Sequence, residues 1–172
     1  MGETDSERLE RIRREYGPQL SRVVQSYARP GADADDLGQE VLLALWRALP
    51  GFRNECPERA FVLRIAHNRG MNHLFRRKPM DPDVPDVADE RPGAEAQLAQ
   101  HQQVERLYAA IRQLPLGMRQ VLTLALEELP HAEIAEILGV KTENVAVRLT
   151  RARQALRERL SAPAVEARRA TS

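Results

Sequence analysis

The side chains with the most chemistry to offer are arginines near the C-terminal end. Residues 130–160 read PHAEIAEILGVKTENVAVRLTRARQALRERL. Val145, Leu149, Ala152, Leu156 and Leu160 recur with helical spacing, and Arg148, Arg151, Arg153, Arg157 and Arg159 fall on the remaining surface. A guanidinium is always charged and pairs with phosphate through two parallel hydrogen bonds. Such a row suits a nucleic-acid backbone, or is only the solvated face of an αα-hairpin. A second basic block holds Arg53, Arg59, Arg64, Arg69, Arg76, Arg77 and Lys78 against Glu55 and Glu58.

Residues suited to catalysis do not cluster. His67 and His73 are six positions apart and do not share a helix face, and His101 and His131 are remote from them. His131-Ala-Glu133 matches the start of a zinc-deaminase signature, but no Pro-Cys-x-x-Cys follows. No HExxH, P-loop or glycine-rich nucleotide motif is present. Cys56 is the one cysteine, so neither an internal disulfide nor a four-cysteine zinc site can form. The expectation is a protein that is not an enzyme and has no metal or cofactor.

The elements that must carry these side chains read as all-α. In the first block Leu9, Ile12, Tyr16, Leu20, Val23 and Tyr27 recur at intervals of three and four, with Gly17-Pro18 threatening a kink. Leu37, Val41, Leu45 and Leu49 follow with Trp46 beside them, then Phe61, Ile65, Met71, Leu74 and Phe75. In the second block Leu98, Val104, Leu107, Ile111 and Leu114 make one helix. Pro57, Pro115 and Pro130 suit helix starts, and Gly139 suits a helix stop. Ile134, Ile137 and Leu138, then Gly139, then a helix opening near Thr142 as N-cap, lay out a helix-turn-helix.

Between the blocks lies PMDPDVPDVADERPGAE, with six acids, one arginine and four prolines. Prolines exclude a helix or central strand there, so a flexible, acidic, Pro-rich linker is expected. The division expected is 1–78, linker 79–95, 96–160 and a frayed tail 161–172: two small helical domains on a tether. The net charge of +1 is therefore a sum of basic blocks and an acidic strip. No apolar run suits a membrane span, and the charged start has no signal-peptide centre, so no membrane insertion and a cytoplasmic location are expected.

LPLGMRQVLTLALEELPHAEIAEILGVKTENVAVRLTRARQALRERL resembles region 4 of bacterial extracytoplasmic-function (ECF) sigma factors. ADADDLGQEVLLALWRALPGFRNECPERAFVLRIAHNRGMNHLFRRK resembles their region 2. The resemblance runs over roughly residues 8–160, in order, and implies a dissociable subunit that binds core RNA polymerase and promoter DNA and starts transcription. Its core-polymerase face falls on Asp36, Leu37, Gln39, Glu40 and Trp46, although Leu37 and Trp46 also read as core residues, Trp46 especially.

The resemblance also implies that a −10 reader lies in the loop Phe52–Pro57 and the helix behind it, with Ala48, Phe52 and Asn68 lining a base pocket, Phe52 as stacking partner or apolar wall and Asn68 as donor and acceptor to a base edge. Arg64, Arg69, Arg76, Arg77 and Lys78 would hold that strand's phosphates. The −35 reader falls on Lys141, Thr142, Asn144, Ala146, Val147, Arg148, Thr150 and Arg151. This chain departs from the family pattern at Phe61, usually Trp, at Ala146-Val147, usually a basic residue and Ser, and at Lys141, usually the N-cap Ser, which would move the helix start one residue later, to Thr142. Its −35 preference should therefore lean on Arg151 or Arg148 and on methyl contacts. An anti-sigma protein is the further partner implied. A stand-alone helix-turn-helix regulator is the alternative, but it leaves DDLGQE and the 53–78 block without a task.

Overall fold

The computed structural model describes residues 2–77 and 95–162. Lys78, the linker up to residue 94 and the tail from 163 onward lie outside the described residues. The order is α1 (Asp5–Tyr27), α2 (Ala32–Ala48), a 3-10 turn (Leu49–Gly51), α3 (Glu58–Arg76), α4 (Glu95–Arg112), α5 (Leu116–Leu126), α6 (His131–Leu138) and α7 (Thr142–Ser161). The protein is all-helical among the described residues, and no helix there is long and apolar enough to cross a membrane.

Helix α1 begins in a reciprocal cap. The Glu7 N–H donates to the Thr4 hydroxyl, and the Thr4 N–H donates to the Glu7 carboxylate at 2.8 Å. The helix runs unbroken through Pro18, where a kink was expected. Pro18 removes one hydrogen bond, to the Arg14 carbonyl, and Arg14 is exposed enough for water to replace it.

α1, α2 and α3 pack into a three-helix lobe around Ile12, Val23, Tyr27, Leu37, Val41, Leu45, Val62, Leu63 and Ala66. α1 and α3 meet tightly at Gly70. A Cβ added there would clash with the carbons of the Tyr27 ring. The Tyr27 hydroxyl meets His67 Nδ1 at 2.9 Å, which gives both buried polar groups a partner. The α1–α2 turn is tied to α3 by Asp33, which accepts the Arg29 N–H at 2.7 Å and His73 Nε2 at 2.8 Å.

The second lobe packs α5 and α6 on α7, with α4 against α7. The two lobes are also docked on each other. α1 packs on α4 and α5, and the buried apolar cluster runs through both lobes. Arg22 grips Glu127, Arg112 donates to the Gln25 carbonyl at 3.0 Å, and Gln120 reaches the Met71 sulfur at 3.2 Å.

Three expectations need correction. Helix α4 starts at Glu95, inside the stretch assigned to the linker, and its early residues Leu98 and Val104 are exposed. In α3 the buried face is Val62, Leu63, Ala66, His67 and Gly70, while Phe75 is exposed. At α7 the N-cap is Lys141 and Thr142 is the first helical residue; no side chain caps this end.

Candidate nucleic-acid and polymerase interface

The helix-turn-helix is built by Gly139. It takes φ 65°, the left-handed conformation that a Cβ disfavours, and ends α6. The Val140 N–H then donates to the Ala135 carbonyl at 3.0 Å, which fixes the turn. Ile134, Val145, Leu149 and Ala152 are buried and seat α7 against α5 and α6.

That packing turns the expected −35 residues outward. Lys141, Thr142, Asn144, Ala146, Val147, Thr150 and Arg151 are exposed. Arg148 is half-buried, its side chain lying against Gly117 of α5. Of the two arginines expected to lead, Arg151 is the one that projects freely. The Thr150 hydroxyl donates to the Ala146 carbonyl at 3.0 Å, so its proton is used within the helix.

The first lobe places the other residues on the end of α2, the turn after it, and α3. Ala48 closes α2, Phe52 follows the 3-10 turn, and Asn68 is exposed on α3. Phe52 stacks on Phe61 with ring centroids 4.0 Å apart and an interplanar angle of 14°. The Arg8 guanidinium carbon lies 4.9 Å from the centroid of the same ring. One face of Phe52 is thus taken by Phe61, which leaves the other to Arg8. Of the two parts expected of Phe52, stacking partner or apolar wall, this packing suits the wall.

Arg8 is itself fixed. It donates to Glu58 at 3.2 Å and to Asn54 Oδ1 at 3.2 Å. Arg11 donates to both Glu58 oxygens, at 2.7 and 2.9 Å, and also to Glu3. Hydrogen bonds from Arg11 and then Arg8 hold the Glu58 carboxyl below its ordinary range, against the opposing pull of burial. Sequence reading missed this cluster. The available signal was the Thr4-x-x-Glu7 cap, which starts α1 early enough for Arg8 and Arg11 to flank the core residue Ile12.

Of the remaining basic residues, Arg64 and Arg69 are half-buried on α3, and Arg64 Nε is buried without a hydrogen-bond partner. Arg76 is exposed and ion-paired to Glu40. Arg77 lies 4.0 Å from Asp33.

Of the expected polymerase face, Asp36 and Gln39 are exposed and Glu40 is half-buried. Leu37 is fully buried and is corrected to a core residue with no reach to a partner. Trp46 is the reverse case. It was read chiefly as core, yet it is 42% exposed, beside Leu43 at 48%.

The chain matches the family model for Sigma-70 region 2 over residues 12–79 and that for Sigma-70, region 4 over residues 104–156. It is 31% identical over 160 residues to the RNA polymerase sigma factor CnrH of Cupriavidus metallidurans, covering 86% of this chain and 83% of that one. It is 29% identical to the ECF RNA polymerase sigma-E factor of Escherichia coli, covering 82% and 80%. A structure of CnrH in complex with the cytosolic domain of CnrY is similar at a TM-score of 0.67 and 26% identity, covering 90% of this chain and 88% of that one. The Bartonella quintana sigma factor RpoE, in complex with the anti-sigma factor NepR, shares the fold at a TM-score of 0.67 and 21% identity, covering 90% and 99%. Both regions, in order and over most of the chain, place this protein among the extracytoplasmic-function RNA polymerase sigma factors.

Proposed function

We propose that the first lobe binds core RNA polymerase through the exposed side of α2, with Asp36, Gln39, Glu40 and Trp46 as the contacts. The loop 52–57 and α3 then receive the opened −10 strand, and Asn68 reads a base edge beside the wall made by Phe52. Arg64, Arg69, Arg76, Arg77 and Lys78 hold its phosphates. The first turns of α7 enter the major groove at the −35 element, with Arg151 as the leading base contact. The chain brings no catalytic centre of its own and acts in the cytoplasm, where polymerase works. An anti-sigma protein, as NepR is to the Bartonella quintana RpoE, is its inhibitor.

One observation supports this reading above the others. On the second lobe the expected −35 residues are exposed apart from half-buried Arg148, on the first Asn68 and Arg76 are exposed beside half-buried Phe52, Arg64, Arg69 and Arg77, and the two lobes match two consecutive regions of one family. A stand-alone regulator needs only the second of these surfaces.

The test is reconstitution. Purified chain added to core polymerase should direct specific initiation on fragments from the native genome, and should co-purify with the core enzyme. Duplex binding without core-dependent transcription would overturn the reading in favour of a stand-alone regulator.

A further inference from the structure

The loop 52–57 has little regular structure to hold it. Its backbone is pinned by the Phe52 N–H on the Leu49 carbonyl at 3.0 Å, and Asn54 sits at φ 57°, a conformation that non-glycine residues adopt at a cost. The side chain that gathers it comes from α1. Arg8 donates from Nε to Glu58, at the start of α3, and from Nη2 to Asn54 Oδ1, while its guanidinium carbon lies over the Phe52 ring, 4.9 Å from the centroid. One guanidinium thus touches the loop's aromatic ring, its left-handed turn and the helix behind it. Arg11, itself anchored by donating to Glu3, holds Glu58 in place for this.

We propose that Arg8 is a positioning and specificity-determining residue for the opened −10 strand. This rests on the reading of loop 52–57 as the receiver of that strand. With Phe61 on one face of Phe52 and Arg8 on the other, a displaced base meets the ring's edge and cannot lie on its face. Face stacking accepts every base, because every base has a π surface. An edge wall with polar groups beside it is selective, because shape and hydrogen bonds must both fit. Arg8 closes the permissive face and leaves the selective one open. Its planar fork is what the role requires, since an ammonium group cannot cover a ring and bond two separate acceptors in one plane.

The experiment uses full-length chain with core polymerase on a promoter pool randomised across the −10 and −35 elements. Transcripts from each holoenzyme are sequenced. The wild type should enrich one base strongly at one −10 position. Arg8→Ala should lower that enrichment at least about threefold while leaving the −35 preference unchanged, and Arg8→Lys should behave like Arg8→Ala. Unchanged −10 enrichment in Arg8→Ala would overturn the proposal, and so would full recovery in Arg8→Lys, which would reduce Arg8 to a charge. Equal loss at both elements would also overturn it, as a general folding defect. Phe52→Ala separates the underlying reading from the inference. If it keeps wild-type −10 enrichment, loop 52–57 is not the receiver. If it loses enrichment while Arg8→Ala keeps it, only the role of Arg8 falls.

Discussion

Arg22 on α1 holds Glu127, just past α5, through two parallel hydrogen bonds of 2.8 Å each, across 105 positions of chain. The Glu127 side chain is 1% exposed and that of Arg22 is 45% exposed, so the pair is buried on one side only. A buried carboxylate without its partner is costly, whereas a docked pair contributes little beyond cancelling that cost. The pair therefore acts on whether the lobes stay together more than on whether either lobe folds.

Replacing Arg22 with Ala strands Glu127. Breaking a fully buried pair costs about 3–5 kcal/mol, and here half-exposed Arg22 and the freedom of the lobes to part reduce that to about 1–3. The radius of gyration in solution scattering should rise, and backbone amides of α5 facing α1 should exchange faster. Unchanged scattering and exchange would show that the apolar contacts hold the lobes unaided.

His67 sets a pH dependence. Burial lowers its pKa to about 4 from an ordinary 6.5, and the Tyr27 hydroxyl bond fits a neutral ring with Nδ1 as acceptor. The unfolded chain takes up the proton below about 6.5. The folded chain does so only near 4. The stabilising contribution is thus complete above the ordinary value and is lost as pH falls through this window, by about 3 kcal/mol in all. Chemical denaturation at a series of pH values should show the slope, and His67→Gln should flatten it.

Gly70→Ala tests the α1–α3 approach. The new methyl meets the buried Tyr27 ring, and both belong to helix backbones that must move apart. Overpacking of this kind costs about 1–3 kcal/mol. A denaturation midpoint equal to that of wild type would mean that Tyr27 rotates out of the way, at the expense of its bond to His67.

Arg151→Ala should weaken binding to the −35 duplex by about 1–3 kcal/mol and relax selectivity at one base pair. Arg157→Ala, six residues further along α7, should weaken all sequences alike and reduce the salt slope by about one. Competition binding at two salt concentrations distinguishes them, and identical behaviour of the two variants would remove Arg151 from base reading.

The helices were legible wherever burial follows spacing. Ile12, Val23, Tyr27, Leu37, Val41 and Leu45 are core because large apolar residues at three and four leave no other solution. α3 misled because its core face combines Val62 and Leu63 with the small residues Ala60, Ala66 and Gly70 and with His67, a set without the large apolar repeat of α1 and α2. Small side chains signal close helix approach only once the partner ring is known. The exposure of Trp46 and burial of Leu37 were likewise settled by which side of α2 faces α1 and α3. The docking of the lobes had no sequence signal, since Arg22 and Glu127 look like ordinary surface charges. Cap chemistry was more legible. Gly139, Pro115 and Pro130 stand at helix ends as their backbones require.

Arg76 and Glu40 remain the most economical feature of the first lobe. One residue was assigned to strand phosphates and the other to polymerase, yet each is the other's counter-ion. A partner cation that takes Glu40 leaves Arg76 more attractive to an anion, and a phosphate that takes Arg76 leaves Glu40 more attractive to a cation. Linkage makes the two effects equal in free energy. Exposed pairs are worth about 0–1 kcal/mol, so the cooperativity is limited to about fivefold. A subunit that engages DNA more firmly once seated on its enzyme needs no larger a preference at any single step.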